Sequence, residues 1–322
     1  METRVTFAAL LAALLLASPL AACDPERDEP GPTPDACSAC VYHELVWSDE
    51  FDGSGPLDPE SWSYHVGAGW NDGANAFLGW GNDEAEWYRP EQAAREDGVL
   101  VITADHDGTR APIAGRDSTI RSARVVTQGK RSWSRARVEA RIAMPSVAGT
   151  WPAFWLMGDT YDGTATADRD AALDHYDVMA STWPACGEID IMEHRNQETS
   201  TIHNVFWDTR TELLPWNAGT IDDDPSSYPS PLAARQLDPT QYHVYALEWT
   251  DAHMFWYVDG VLVKNESISA ANQEELNGAD RKFFVLLNLA IGSASTPFTG
   301  GPTPAVTDFP LRMYVDWVRV YQ

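Results

Sequence analysis

From about Tyr42 onward, apolar and polar residues alternate in short runs that Gly, Pro, Asn and Asp interrupt. Such a period of two predicts β-strands with one face buried. The clearest runs are Val99 to Ala104 (VLVITA), Arg137 to Ala143 (RVEARIA), His243 to Trp249 (HVYALEW), Phe283 to Leu289 (FFVLLNL) and Met313 to Tyr321 (MYVDWVRVY). Met254 to Val263 (MFWYVDGVLV) centres on Asp259-Gly260, a dipeptide that closes two-residue hairpins. Helical periodicity is scarce, and Ala270 to Leu276 is the best short candidate. The pattern predicts an all-β domain over residues 42–322, a sandwich of two antiparallel sheets with one sheet face free for a ligand. The weakly patterned segment from Asp159 to Thr182 reads as a long loop beside that face.

Residues 1–22 do not fit this pattern. Arg4 precedes an apolar run from Val5 to Leu16 and then small residues, the layout of a secretory signal and too short for a spanning helix. The end of the segment, Leu20-Ala21-Ala22-Cys23, resembles the lipobox of bacterial lipoproteins, which implies lipidation of Cys23 and a domain anchored outside the cytoplasm. Residues 23–41 are acidic and Pro-rich, as in an extended tether. Cys37 and Cys40 form a C-x-x-C with no second pair to complete a zinc site, so a local disulfide or free thiols are expected there. Cys186 is expected to pack. The formal net charge of -26 opposes binding to nucleic acid, and 14 Trp mark an aromatic-rich domain. A monomer is the expected state.

The stretch GEIDIMEH, Gly187 to His194, sets Glu188, Asp190 and Glu193 among Ile and Met. Like charges on one strand repel, and their removal from water costs several kcal/mol unless they are paired or protonated. Glu188 and Asp190 share a face, whereas Glu193, five residues from Glu188, points the other way on a regular strand. One extra residue near Ile191 and Met192, taken up as a β-bulge, returns Glu193 to their face. Two carboxyl groups facing a sugar, about 5 to 5.5 Å apart, are what retaining glycoside hydrolysis uses. On residue types alone, an acidic edge strand or a three-acid calcium site accounts for the run equally well.

A wider set of segments separates these readings. LVWSDEFDG (Leu45 to Gly53), GWGNDEAEWY (Gly79 to Tyr88), DGVLVITA (Asp97 to Ala104), VEARIAMP (Val138 to Pro145), GTWPAFWLMG (Gly149 to Gly158), WPACGEIDIMEH (Trp183 to His194), EWTDAHMFWYVDG (Glu248 to Gly260), NLAIG (Asn288 to Gly292) and YVDWVRVYQ (Tyr314 to Gln322) occur in the order seen in glycoside hydrolase family 16. The chain resembles the bacterial laminarinases of that family, endo-β-1,3-glucanases. The resemblance implies a β-jelly-roll sandwich with a concave substrate cleft and retaining hydrolysis of β-glucan. It implies Glu188 as nucleophile, Asp190 as its helper and Glu193 as acid/base, with Met192 matching the bulged form of the motif.

Further positions carry over from the same resemblance. Asn82, Glu84 and Arg141 match polar residues around the sugar, Trp151, Trp155 and Trp183 match cleft aromatics, and His203 in TIHNVFW matches a histidine near the acid/base. No cofactor is implied for catalysis, but a structural calcium is, at positions matching Glu50, Gly98 and Asp316. The sequence departs from the family at Arg135 and Ala136, at Ser293, in the lack of a Trp between Ser293 and Thr307, and in the length of the 159–182 loop. These changes leave mixed-linkage glucan, a galactan, or binding without cleavage as the competing readings. Neither G-x-S-x-G nor H-E-x-x-H occurs.

Overall fold

A computed structural model of the chain describes residues 41–71, 76–113, 116–161, 183–208, 218–220, 237–269, 273–300 and 303–322. The signal segment, residues 23–40 of the tether with Cys23, Cys37 and Cys40, and the 162–182 part of the expected loop lie outside the described residues. The strands form two principal sheets. The larger has ten strands, with Val261–Ser267, His253–Val258, His243–Trp249, Arg137–Ala143, Leu311–Tyr321 and Val99–Ile113 as consecutive neighbours. The other has seven, in the order Ala218–Thr220, Ile202–Asp208, Glu188–Glu193, Thr150–Gly158, Phe283–Ile291, Arg124–Val126 and Ser63–His65. Both are antiparallel along these stretches. The result is the jelly-roll sandwich that the alternation and the resemblance predict.

Period-two patterning produces the layers. In Arg137–Ala143, Val138, Ala140 and Ile142 enter the space between the sheets while Arg137, Glu139 and Arg141 face outward. Phe283–Ile291 is buried along its whole length. Phe283, Val285, Leu287, Leu289 and Ile291 join the inter-sheet core, while Phe284 and Leu286 join a second cluster with Val126, Ala153, Trp155, Met157 and Cys186. A continuous apolar run with both faces covered marks a central strand, and here the second covered face is the one that carries the acids. The hairpin forms where predicted: Asp259 (φ 50°) and Gly260 (φ 73°) both take the left-handed conformation that a type I′ turn requires. The expected helix is a single turn, Gln273–Asn277, whose Asn277 accepts the indole N–H of Trp249 at 2.7 Å.

Candidate active site

Strand Glu188–Glu193 carries the bulge that its spacing demands. Against Thr150–Gly158 the register runs from Trp155 opposite Asp190 directly to Phe154 opposite Met192, leaving Ile191 as the extra residue. Against Ile202–Asp208, Asp190 faces Asn204 and Glu193 faces Ile202, so two residues oppose one. Ile189, Ile191 and Met192 are all in the inter-sheet core, and the three acids lie on the other face.

Bulging frees main-chain carbonyls, and buried carbonyls require donors. Two side chains from the core supply them. The Trp256 indole donates to the Asp190 carbonyl at 2.9 Å, and His203 Nδ1 donates to the Ile191 carbonyl at 2.7 Å. The Lys264 ammonium in turn donates to the His203 carbonyl at 2.7 Å. His203 was expected beside the acid/base on the substrate side. Instead it shares the parity of Val205 and Trp207, which lie in the core, and Thr201 caps its Nε2. Burial above all, helped by the Lys264 charge, lowers its pKa to about 4, so a neutral imidazole holds the bulge in place.

Each outer carboxyl has its own indole. Trp183 Nε1 donates to Glu188 at 2.9 Å, and Trp151 Nε1 donates to Glu193 at 2.8 Å. Asn204 gives Glu193 a further hydrogen bond. Phe298 stacks on Trp151 with centroids 4.2 Å apart, and Arg195 lies over Phe298. Glu188 is partly open, whereas Asp190 and Glu193 are 3% and 7% exposed. Burial, then the charge of Glu193, pushes Glu188 up to about 8, against the Trp183 bond and Arg124. Burial also pushes Glu193 up to about 7, against Trp151, Asn204 and Arg195. Asp190 is held well above the usual carboxylate range, first by burial and then by its two acidic neighbours, with Lys264 opposing. Carboxyls with their values raised so far can exchange protons near neutral pH, as acid/base chemistry requires.

The floor beside Glu188 is aromatic and cationic. Arg124 lies 4.6 Å over the Trp155 ring and 4.9 Å over Trp80, and Trp155 donates to Asn288 at 2.7 Å. Trp155 is thus a buried floor residue on the cleft face. Asn82 is exposed, with its amide donating to Glu84 at 3.3 Å. Arg124, Asn204 and Trp80 are not among the residues that the sequence singles out. Arg124 and Asn204 each alternate with core residues on a strand, which was the available signal.

Arg141 is placed elsewhere. It stands on the outward face of the larger sheet, ion-paired to Asp316 at 2.7 Å and lying over Tyr242, and does not join the acids of the seven-stranded sheet. The same pairing bears on calcium. Of the expected set, Glu50 and Gly98 would offer main-chain carbonyls and Asp316 the anionic side chain, and Asp316 is paired with Arg141, which a dication there would have to displace. Among the described residues, no three metal-ligating side chains converge.

Residues 81–279 match the profile of glycosyl hydrolases family 16. The chain belongs to this family. Among family 16 relatives, a beta-glucanase from Rhodothermus marinus is 37% identical over 298 residues, covering 89% of this chain and 88% of that protein. A glucan endo-1,3-beta-glucosidase A1 from Niallia circulans is 32% identical over 86% of this chain, which spans 38% of that longer protein. Among solved structures, the laminarinase from Rhodothermus marinus superposes with a TM-score of 0.61 at 34% identity, covering 88% of this chain and 98% of the other. As a family 16 member the chain is a glycoside hydrolase.

Proposed function

We propose that this protein is an endo-acting β-1,3-glucanase of the laminarinase type, working by double displacement. The observation that carries the reading is one strand face on which two carboxyls, Glu188 and Glu193, sit on either side of a bulge, each bound by its own indole N–H. In the first step the Glu188 carboxylate attacks the anomeric carbon as Glu193 gives its proton to the departing glycosidic oxygen. In the second, Glu193 takes a proton from the water that displaces Glu188, and the starting protonation is restored. Asp190, between them and nearly sealed, shares proton and charge with Glu188 and keeps it oriented. Trp151, Trp155 and Trp183 supply apolar faces for sugar C–H groups, while Asn82 and Glu84 address the hydroxyls. Laminarin-like glucan is the substrate that the glucanase relatives support.

The test is release of reducing ends from laminarin, mixed-linkage glucan and agarose by the full chain, beside Glu188→Gln. Release from laminarin that disappears in the variant supports the reading; activity retained in the variant removes Glu188 from the mechanism. Binding of laminarin without release from any polymer would make the protein a glucan receptor. The sequence further supports a monomer tethered outside the cytoplasm through lipid on Cys23. Cys23→Ala should then release it from membranes, and unchanged membrane retention would refute the anchor.

A further inference from the structure

Behind Asn82 lies a second pair of acids that the proposed chemistry leaves unused. Glu86 is fully buried and Glu84 is 5% exposed, and their carboxyls are in hydrogen-bond contact. The directions of the surrounding bonds can be followed atom by atom. Asn288 Nδ2 donates to the Tyr88 oxygen at 3.2 Å, so the Tyr88 hydroxyl sends its proton to Glu84 Oε2, 2.9 Å away. Asn82 Nδ2 donates to Glu84 Oε1. Glu84 thus accepts on both oxygens. Glu86 Oε2 accepts the Ile291 N–H at 2.7 Å, and Oε1 meets no protein donor.

Two ionised carboxylates in contact and out of water are prohibitively costly, whereas one proton between them turns repulsion into a strong hydrogen bond. Because Glu84 must accept from Tyr88 and Asn82, that proton belongs on Glu86. We infer that Glu86 is a neutral acid that donates to ionised Glu84, and that this pair is a positioning device for the sugar-binding floor. Its reach follows the same bonds: through Asn82 to the exposed amide, and through Tyr88 and Asn288 to the indole of Trp155. With Nδ2 engaged by Glu84, Asn82 presents its carbonyl oxygen outward and so favours a sugar hydroxyl that donates. The charged and titratable groups around the pair are Tyr88, whose ring packs near Arg124, and Arg124 itself, which lies over Trp80 and Trp155. Burial and the Glu84 charge both hold the Glu86 proton on.

The inference rests on the glucanase reading for its effect on substrate, but the proton itself is observable without substrate. Infrared difference spectra of the full chain at neutral pH, wild type minus Glu86→Gln, should contain one protonated-carboxyl C=O stretch, distinct from the stretch that Glu188→Gln removes. An unchanged band in Glu86→Gln overturns the assignment, even if laminarin turns out not to be the substrate. Kinetics supply the second readout. Glutamine keeps both bonds, its amide N–H to Glu84 and its oxygen to Ile291, so Glu86→Gln should leave KM for laminarin within about twofold. Glu86→Met removes the donor and should raise KM about tenfold, one hydrogen bond's worth, with kcat changing less. At alkaline pH, KM should rise in the wild type and stay flat in Glu86→Gln. Equal KM values in the methionine variant and the wild type, or a glutamine variant as impaired as the methionine one, would refute the positioning role.

Discussion

The two indole N–H groups make opposite and separable predictions for the pH profile. Trp183 donates to Glu188 at 2.9 Å and Trp151 to Glu193 at 2.8 Å, and each bond favours the ionised carboxylate. Trp→Phe at either position keeps an aromatic face and deletes only the donor. A hydrogen bond to a charged group contributes about 1.5–3 kcal/mol, or about 1–2 pH units at 1.36 kcal/mol each. Water entering the partly open cleft recovers some of this, so a movement of about one unit is expected. Glu188 must be ionised to attack and Glu193 protonated to assist departure, the reverse of the order of their values, about 8 and about 7, so between the limbs the pair holds one proton, mostly on Glu188, and the minor form with that proton on Glu193 is the one that reacts. The acidic limb of kcat/KM then follows Glu193 and the alkaline limb follows Glu188. Trp183→Phe should therefore raise the alkaline limb, widening the bell and lowering its height, and Trp151→Phe should raise the acidic limb, narrowing the bell. The assay is kcat/KM on laminarin across the pH range, where the limbs report the free enzyme. Limbs that stay fixed, or an acidic limb that moves in Trp183→Phe, would refute the pairing of each indole with its carboxyl's role.

Three further outcomes follow from the same geometry. Because the Glu188 value in the fold, about 8, exceeds that of an exposed carboxyl, the unfolded chain ionises first as pH rises, and stability is lost progressively above about pH 4.5. Glu188→Gln should therefore be more stable than the wild type at pH 8, by on the order of 2 kcal/mol in urea titrations, with little gain at pH 4; equal gains at both would contradict the sign. His203→Ala leaves the buried Ile191 carbonyl without its donor and should cost about 1–3 kcal/mol, lowering kcat while the pH limbs stay in place. A shifted limb there would return His203 to the chemistry. Arg141→Gln breaks a partly exposed pair with Asp316, so it should cost about 1 kcal/mol or less and leave kcat/KM on laminarin within twofold; a tenfold loss would place Arg141 back at the substrate.

What the sequence conceals is the partner of each strand, and the errors follow from that. Counting residues in GEIDIMEH was enough to require a bulge, because side-chain parity is local to one strand. Alternation and the Asp259-Gly260 turn were likewise enough to place the main strands, since period two and the type I′ turn arise from neighbouring residues. In TIHNVFW, however, parity divides His203, Val205 and Trp207 from Ile202, Asn204 and Phe206 without saying which set meets substrate. That is decided by the register with Glu188–Glu193, which sets Asp190 opposite Asn204 and sends His203 to the core. The two arginines are parallel cases: Arg141 and Arg124 both alternate with buried residues, but one strand joins the ten-stranded sheet and the other the seven-stranded one. Glu86 adds a case of another kind. In EAEWY it shares parity with Glu84 and Tyr88, so their common face was legible, whereas its complete burial and the arrival of the Ile291 N–H from a strand some 200 positions away were not. Local spacing tells which acids lie together, and long-range pairing decides which of them keep their protons. Roles that depend on protonation, as Glu193 and Glu86 do here, therefore need the register of the whole sheet before they can be assigned.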